Sequence, residues 1–183
     1  FLHLGEGRNR IERARPGWEV WDTESGMVYF DYRVILDLWS KNAAMLRCAG
    51  YTRSFFYVDR DMLFPCADST PLVAMEGFKN RFYVDLLPVG RSTFANGLIH
   101  VYQFKRRDGQ GAAVFWNTSH EAAEFDLPAL AGGTQADVFG NPMEPLKPGA
   151  NRIVLKDRMV RYATGVDLAG KERVLEIAAQ RWI

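Results

Sequence analysis

The chain has 183 residues, a length for one domain or two small ones, and its 23 Lys+Arg against 22 Asp+Glu leave a net charge of +1 at pH 7. At 48% hydrophobic, 13% aromatic and 25% charged it has the composition of a globular protein. The balance is even along the chain, with nine basic and eight acidic residues in the first sixty and fourteen of each in the remainder. That gives no footprint for a phosphate backbone, and no run approaches the roughly 18 to 20 apolar residues of a membrane span. Neither nucleic acid nor membrane is an expected partner.

The chain opens in mid-pattern, Phe1-Leu2-His3-Leu4, which predicts a processed or truncated product and leaves the compartment open. Residues 7–15 read as an exposed helical end closed by Pro16-Gly17. Trp18-Glu19-Val20-Trp21 alternates as a strand and runs into the polar turn Asp22-Thr23-Glu24-Ser25-Gly26. From Asp31 to Ala49, Val34, Ile35, Leu38, Trp39, Asn42, Met45 and Leu46 mostly follow the i, i+3, i+4 rule, with Gly50 as the stop, predicting the strongest helix of the chain. Cys48 on that helix is expected to be a small buried hydrophobe. With Cys66 it fits no metal spacing and is too little for a disulfide framework.

Tyr51–Val58 is aromatic and β-branched and predicts a second strand, ending in Asp59-Arg60-Asp61. A second helix over 69–83 is marked by Asp68 or Ser69 as cap and Pro71 just inside, with Leu72, Val73, Met75, Phe78 and Phe82 as its buried face. The order strand, helix, strand, helix predicts βαβα units of a parallel sheet. After residue 85 the pattern changes. Leu98–Lys105, Ala112–Trp116, Ala122–Leu127, Gln135–Phe139, Arg152–Leu155, Met159–Ala163 and Arg173–Ala178 are short runs separated by Gly, Pro and Asn turns, as expected of an antiparallel β-sandwich. Residues 1–85 and 86–183 are therefore read as two units, α/β followed by all-β. His3, His100 and His120 are scattered; no zinc site and no cofactor are expected.

In a parallel α/β architecture catalytic groups collect at the carboxyl ends of strands, where the turn carrying Glu24 falls. A carboxylate there can attack an anomeric carbon in glycoside transfer, if a second carboxyl and sugar-stacking aromatics lie close by. Trp21, Tyr29 and Tyr57 are the candidate aromatics. The hexapeptide Trp21-Asp22-Thr23-Glu24-Ser25-Gly26 resembles the Trp-x-Thr-Glu-x-Gly that ends barrel strand seven in clan A-like retaining (β/α)8 glycoside hydrolases. The similarity extends to Ala43–Arg47 with Gly50, to the aromatic strand SFFY, and to a closing sandwich with DLP and an Asp-Val-Phe-Gly-Asn turn at 137–141. It covers nearly the whole chain. The resemblance implies the last two βα units of a barrel plus a C-terminal β-sandwich, with Glu24 as nucleophile on a β-linked glycoside or polysaccharide.

The departures bear on activity. A full barrel takes about 250 residues, so strands one to six are missing here. The general acid/base that the family places at the end of strand four is missing too, and no Asn-Glu pair occurs in these residues. This chain alone is expected to be inactive, and the missing N-terminal barrel segment is its implied partner. Tyr57 and Asp59 are read as lining the sugar subsite beside Glu24, or equally as a rim tyrosine and an Asp59–Arg60 pair; Arg53 as a donor to an internal carboxylate, or as solvated. Tyr102 and Trp116 are expected in the sandwich core and His120 in solvent, while Asn117-Thr118-Ser119 matches the glycosylation pattern. The rival reading is a non-catalytic carbohydrate-binding or structural β-sandwich, which needs an exposed row of aromatics.

Overall fold

A computed structural model describes residues 10, 13–15, 19, 21–25, 32–51, 53–56 and 70–167. The elements are β1 (Trp21–Ser25), α1 (Tyr32–Cys48), β2 (Arg53–Phe56), α2 (Thr70–Phe82), β3 (Leu86–Phe94), β4 (Ile99–Arg106), β5 (Gly111–Asn117), β6 (Ala123–Ala136), β7 (Gly149–Leu155) and β8 (Arg161–Val166), with one 3-10 turn at Ala95–Gly97. The expected cap at Asp68 or Ser69 and the expected strand at 173–178 lie outside the described residues, as do Tyr29, Tyr57, Asp59 and Cys66.

β1 and β2 pair in parallel with α1 between them, the crossover a parallel pair requires. α1 ends as its sequence demands. Gly50 takes φ 88°, its N–H donates to Arg47 O at 3.1 Å, and the Tyr51 N–H donates to Leu46 O at 3.0 Å, the two bonds of a Schellman motif. No residue from Leu36 to Gly50 is exposed, so this helix is covered around much of its circumference. Its polar positions are accordingly bonded locally: Ser40 Oγ donates to Leu36 O at 2.7 Å.

α2 buries Leu72, Met75, Lys79 and Phe82, spaced 3, 4 and 3 as a single helical stripe requires. Val73, expected on that face, lies one residue off the stripe and is 67% exposed.

Strands β3 to β8 form one antiparallel sheet in the order β3-β4-β5-β8-β6-β7. It is not two separate sheets. β6 pairs with β7 through residues 123–129 and with β8 at Ala129 and, after a shift of register, through 134–136, and the turn in this long strand folds the sheet back over itself. Phe125 of β6 thereby meets Phe115 of β5 (5.4 Å between ring centres) and Phe94 of β3 (5.1 Å). The two runs expected at 122–127 and 135–139 are thus mostly one strand. Gly132-Gly133, which reads as a turn, bends β6 without ending it: Gly132 has φ 80° and Gly133 packs closely on Ala129 and Leu146.

β3 has no counterpart among the expected strands, because Pro88 and Gly90 disguise it. It is an edge strand, where a missing N–H costs no ladder bond, and its register slips between those two residues.

Alternation along β4 and β5 divides two cores. Tyr102, Phe104, Ala112, Val114 and Trp116 face the helices and pack with Leu36, Trp39, Met75, Phe82 and Tyr162. Ile99, Val101, Ala113 and Phe115 face inward with Phe125, Leu127, Ile153 and Leu155. Tyr102 and Trp116, expected inside the sandwich, belong to the helix-facing layer.

Candidate functional site

The candidate site is the carboxyl end of β1. Register pairs Trp21 with Arg53, Asp22 with Ser54 and Ser25 with Phe56, so the carboxyl ends of the two parallel strands lie side by side. Glu24 is the penultimate residue of β1. The pairing slips between Asp22 and Ser25, across Thr23 and Glu24. Such irregularities bend a strand and re-aim its side chains, and they concentrate beside active sites. Trp21 opens the strand, about 10 Å before Glu24 at the usual rise. Tyr57 and Asp59 follow β2 directly in sequence and lie outside the described residues. Arg53 is exposed, with Nε 3.8 Å from Glu19 Oε2, which makes it half of a solvated pair.

The end of α1 is anchored away from any chemistry. Arg47 Nη2 donates to Leu86 O at 3.0 Å, and Cys48 Sγ lies 3.8 Å from Gly90 O. Burial pushes the Cys48 thiol far above its usual range, so it stays a protonated, inert hydrophobe.

The strand aromatics Tyr102, Phe104, Phe115, Trp116 and Phe125 are all buried, and Tyr102 stacks on Trp116 at 4.9 Å with planes 13° apart. Among the described strands they offer no exposed row for a sugar. Asn117 is fully buried. Its Nδ2 donates to Glu121 O (2.6 Å) and Leu155 O (3.3 Å), while Oδ1 accepts from the Ser119 N–H at 2.9 Å. The sequence Asn-Thr-Ser is thus an Asx turn closing β5, with its amide nitrogen closed to a glycan. His120 is exposed, as expected, 3.5 Å from Arg158 Nη1.

A polar cluster between α1 and the sheet has no spacing signal in the sequence. Lys41 is buried on α1, ion-paired with Asp37 one turn before it, and its Nζ sits 5.8 Å from the centre of the Trp116 ring. Arg158 Nη2 reaches Asp37 Oδ2 at 3.8 Å. His100 lies 5.9 Å from the same Trp116 ring, and Arg91 Nη2 lies within 3.3 to 3.4 Å of both its ring nitrogens. Burial lowers the pKa of Lys41 and of His100. Among the described residues, no group of three or more His, Cys, Asp and Glu is arranged to hold a metal ion, and no helix is long and apolar enough to cross a membrane.

No protein-family profile matches the chain, and no curated protein does. Solved structures do. A family 39 glycoside hydrolase from the gut symbiont Bacteroides cellulosilyticus WH2 matches with a TM-score of 0.66 at 13% identity, over 90% of this chain and 38% of that one. The catalytic domain of GH30 xylanase C from Talaromyces cellulolyticus matches with a TM-score of 0.55 at 14% identity, over 84% and 42%. The fold of this chain is therefore similar to a portion of glycoside hydrolases. The chain spans about two-fifths of the length of these two structures.

Proposed function

We propose that these residues are the closing part of a retaining glycoside hydrolase acting on a β-linked glycoside or polysaccharide. In this reading residues 1–85 complete a (β/α)8 barrel, residues 86–183 are the appended all-β domain, and Glu24 is the nucleophile. The observation that carries the reading is the position of Glu24 next to the carboxyl end of β1, at a slip in a parallel pair whose other strand ends beside it. The fold likeness to glycoside hydrolases supports it independently.

The chemistry needs two carboxyls about 5 to 5.5 Å apart. The Glu24 carboxylate attacks the anomeric carbon while a general acid protonates the departing oxygen, and the glycosidic bond breaks as a glycosyl ester forms. The same acid, now a base, takes a proton from water; the water attacks the anomeric carbon and frees Glu24 with the sugar's configuration retained. That second carboxyl comes from barrel residues outside this chain, so the chain by itself is inactive. Tyr57 and Asp59, following β2, border the sugar bound against Glu24. Trp21 enters through its place in the motif, not through the register, since it starts β1.

The test is Glu24→Gln in the full-length protein. Loss of a nucleophile that acts with its partner as a unit lowers kcat by roughly 10⁴- to 10⁶-fold, with the circular dichroism spectrum unchanged. Azide added to Glu24→Ala then restores turnover and gives a glycosyl azide of inverted anomeric configuration. Activity within about tenfold of wild type would remove Glu24 from the mechanism.

A further inference from the structure

The geometry points to a second binding site, a cavity beside α2 that takes a small aromatic carboxylate, with the carboxylate held by Arg81 and Arg106. The inference does not rest on the glycosidase reading: the lining comes from α2, β4, β6 and β8, and from neither β1 nor β2.

The cavity forms where the end of α2 meets the sheet. Phe78, Arg81 and Phe82, spaced i, i+3, i+4, stand on one face of the last turns of this helix. On β4, Arg106 is two residues beyond Phe104 and so on the same helix-facing side of the sheet. On β6 and β8, Thr134 stands opposite Thr164 and Ala136 opposite Tyr162. Together they enclose about 330 Å³, at the small end of the roughly 300 to 1,000 Å³ usual for ligand pockets. Arg81 is exposed and Arg106 half-buried, so a ligand reaches both from solvent.

The polar side chains of the lining are donors short of acceptors. No carboxylate lines the cavity, and neither guanidinium has a hydrogen-bond or ion-pair partner among the described residues. The acids on adjoining segments are engaged, Glu76 by Lys79 and Asp85 by Arg107. Thr134 Oγ1 and Thr164 Oγ1 lie 2.8 Å apart, so one hydroxyl donates to the other and the second proton is left for an outside acceptor. Burial keeps the Tyr162 phenol protonated, and its hydroxyl has no partner among the described residues. Such a set selects an oxyanion, which guanidinium groups hold through charge-assisted hydrogen bonds.

The apolar wall selects the rest of the ligand. Phe78 and Phe82 meet the Tyr162 ring edge to face, at 5.1 and 4.7 Å between ring centres. Phe78 is only half-buried and leaves part of its ring to the cavity. A flat aromatic body extends that cluster, whereas a bare hydrated anion gains nothing from it.

The test titrates the full-length protein with benzoate and with benzamide, its uncharged counterpart, by calorimetry. Benzoate is expected to bind about tenfold or more tighter than benzamide, and to fall to the benzamide level in the double variant Arg81→Gln, Arg106→Gln. Inorganic sulfate, with the charge and no ring, is expected to bind about tenfold or more weakly than benzoate. No binding of benzoate, equal affinities for benzoate and benzamide, an unchanged benzoate affinity in the double variant, or sulfate binding as tightly as benzoate overturns the site. Should the double variant not fold, the wild type decides by peptide mapping: benzoate slows phenylglyoxal modification of Arg81 and Arg106 if the site exists, and unslowed modification of both overturns it.

Discussion

The parallel pair β1–β2 and the folded sheet β3–β8 meet the demand for burial in different ways. The sheet covers itself: β6 turns it back so that one face closes on an inner core, while α1 and α2 cover the other face with an aromatic layer around Trp116, Tyr102 and Tyr162. The pair is two short strands with one crossover helix. Parallel strands are found buried on both faces, within larger sheets, because a two-stranded pair leaves most of its backbone groups and apolar faces uncovered. Among the described residues Glu24 thus lies on the pair with the least cover of its own, whereas the folded sheet closes one core on itself and shares the other with α1 and α2. Chemistry at a strand end needs neighbours; support does not.

Breaking the link between the two regions is the largest stability effect expected. Trp116→Ala removes the ring shared by Lys41, His100 and Tyr102 and opens a cavity under α1. It is expected to cost about 3 to 5 kcal/mol, read as a fall in denaturation midpoint with the far-ultraviolet β signal retained below it. Next comes the Asp137–Asn141 turn, which docks on α2. Asp137 Oδ1 accepts from the Phe139 and Asn141 N–H groups, both at 2.9 Å, and Gly140, at φ 87°, lies directly against the Phe78 ring. A methyl there meets the ring well inside van der Waals contact, and the backbone conformation is itself unfavourable for alanine. Gly140→Ala is expected to cost about 2 to 3 kcal/mol, partly recovered by Phe78→Leu, in the same denaturation measurement.

Asn117→Ala acts inside the sheet alone. It removes the bonds that the Glu121 carbonyl and the buried Leu155 carbonyl accept and is expected to cost about 1 to 2 kcal/mol without altering exchange in α1. Its burial also predicts that the protein expressed in a glycosylating host carries no mass increment on the Asn117 peptide. At the small end, Arg152→Ala removes an exposed ion pair with Glu124 across β6 and β7, and the denaturation midpoint is expected to stay where it is.

What the sequence reveals follows the same division. α1 is legible because a long run of helical spacing and a glycine stop are local signals, and the Schellman bonds at Gly50 use those residues. α2 is legible as a helix and, at Leu72, Met75 and Phe82, in its buried face; Val73 misleads because it is apolar and yet one position off the stripe, and Lys79 because it is charged and yet fills it. β3 is hidden by Pro88 and Gly90, whose meaning depends on lying at a sheet edge, a fact no local pattern contains. The unity of β6 is hidden by Gly132-Gly133, which bends the strand toward a partner thirty residues on. At the candidate site, the place of Glu24 near the end of a strand and the parallel pairing of that strand are legible from the strand–helix–strand order. The polar cluster is invisible for the opposite reason: Lys41, His100, Trp116 and Arg158 are ordinary where they stand in sequence and meet only when α1 lies on the sheet.

The most direct test of the central claim is covalent trapping. The full-length protein is incubated with a panel of 2-fluoroglycosides that slow breakdown of the glycosyl ester, and the labelled peptide is located by mass spectrometry. A single label on the peptide containing Glu24 is the predicted result. A label on another carboxylate, or none on folded protein across the panel, contradicts the assignment and leaves Glu24 as a carboxylate at the rim of a strand.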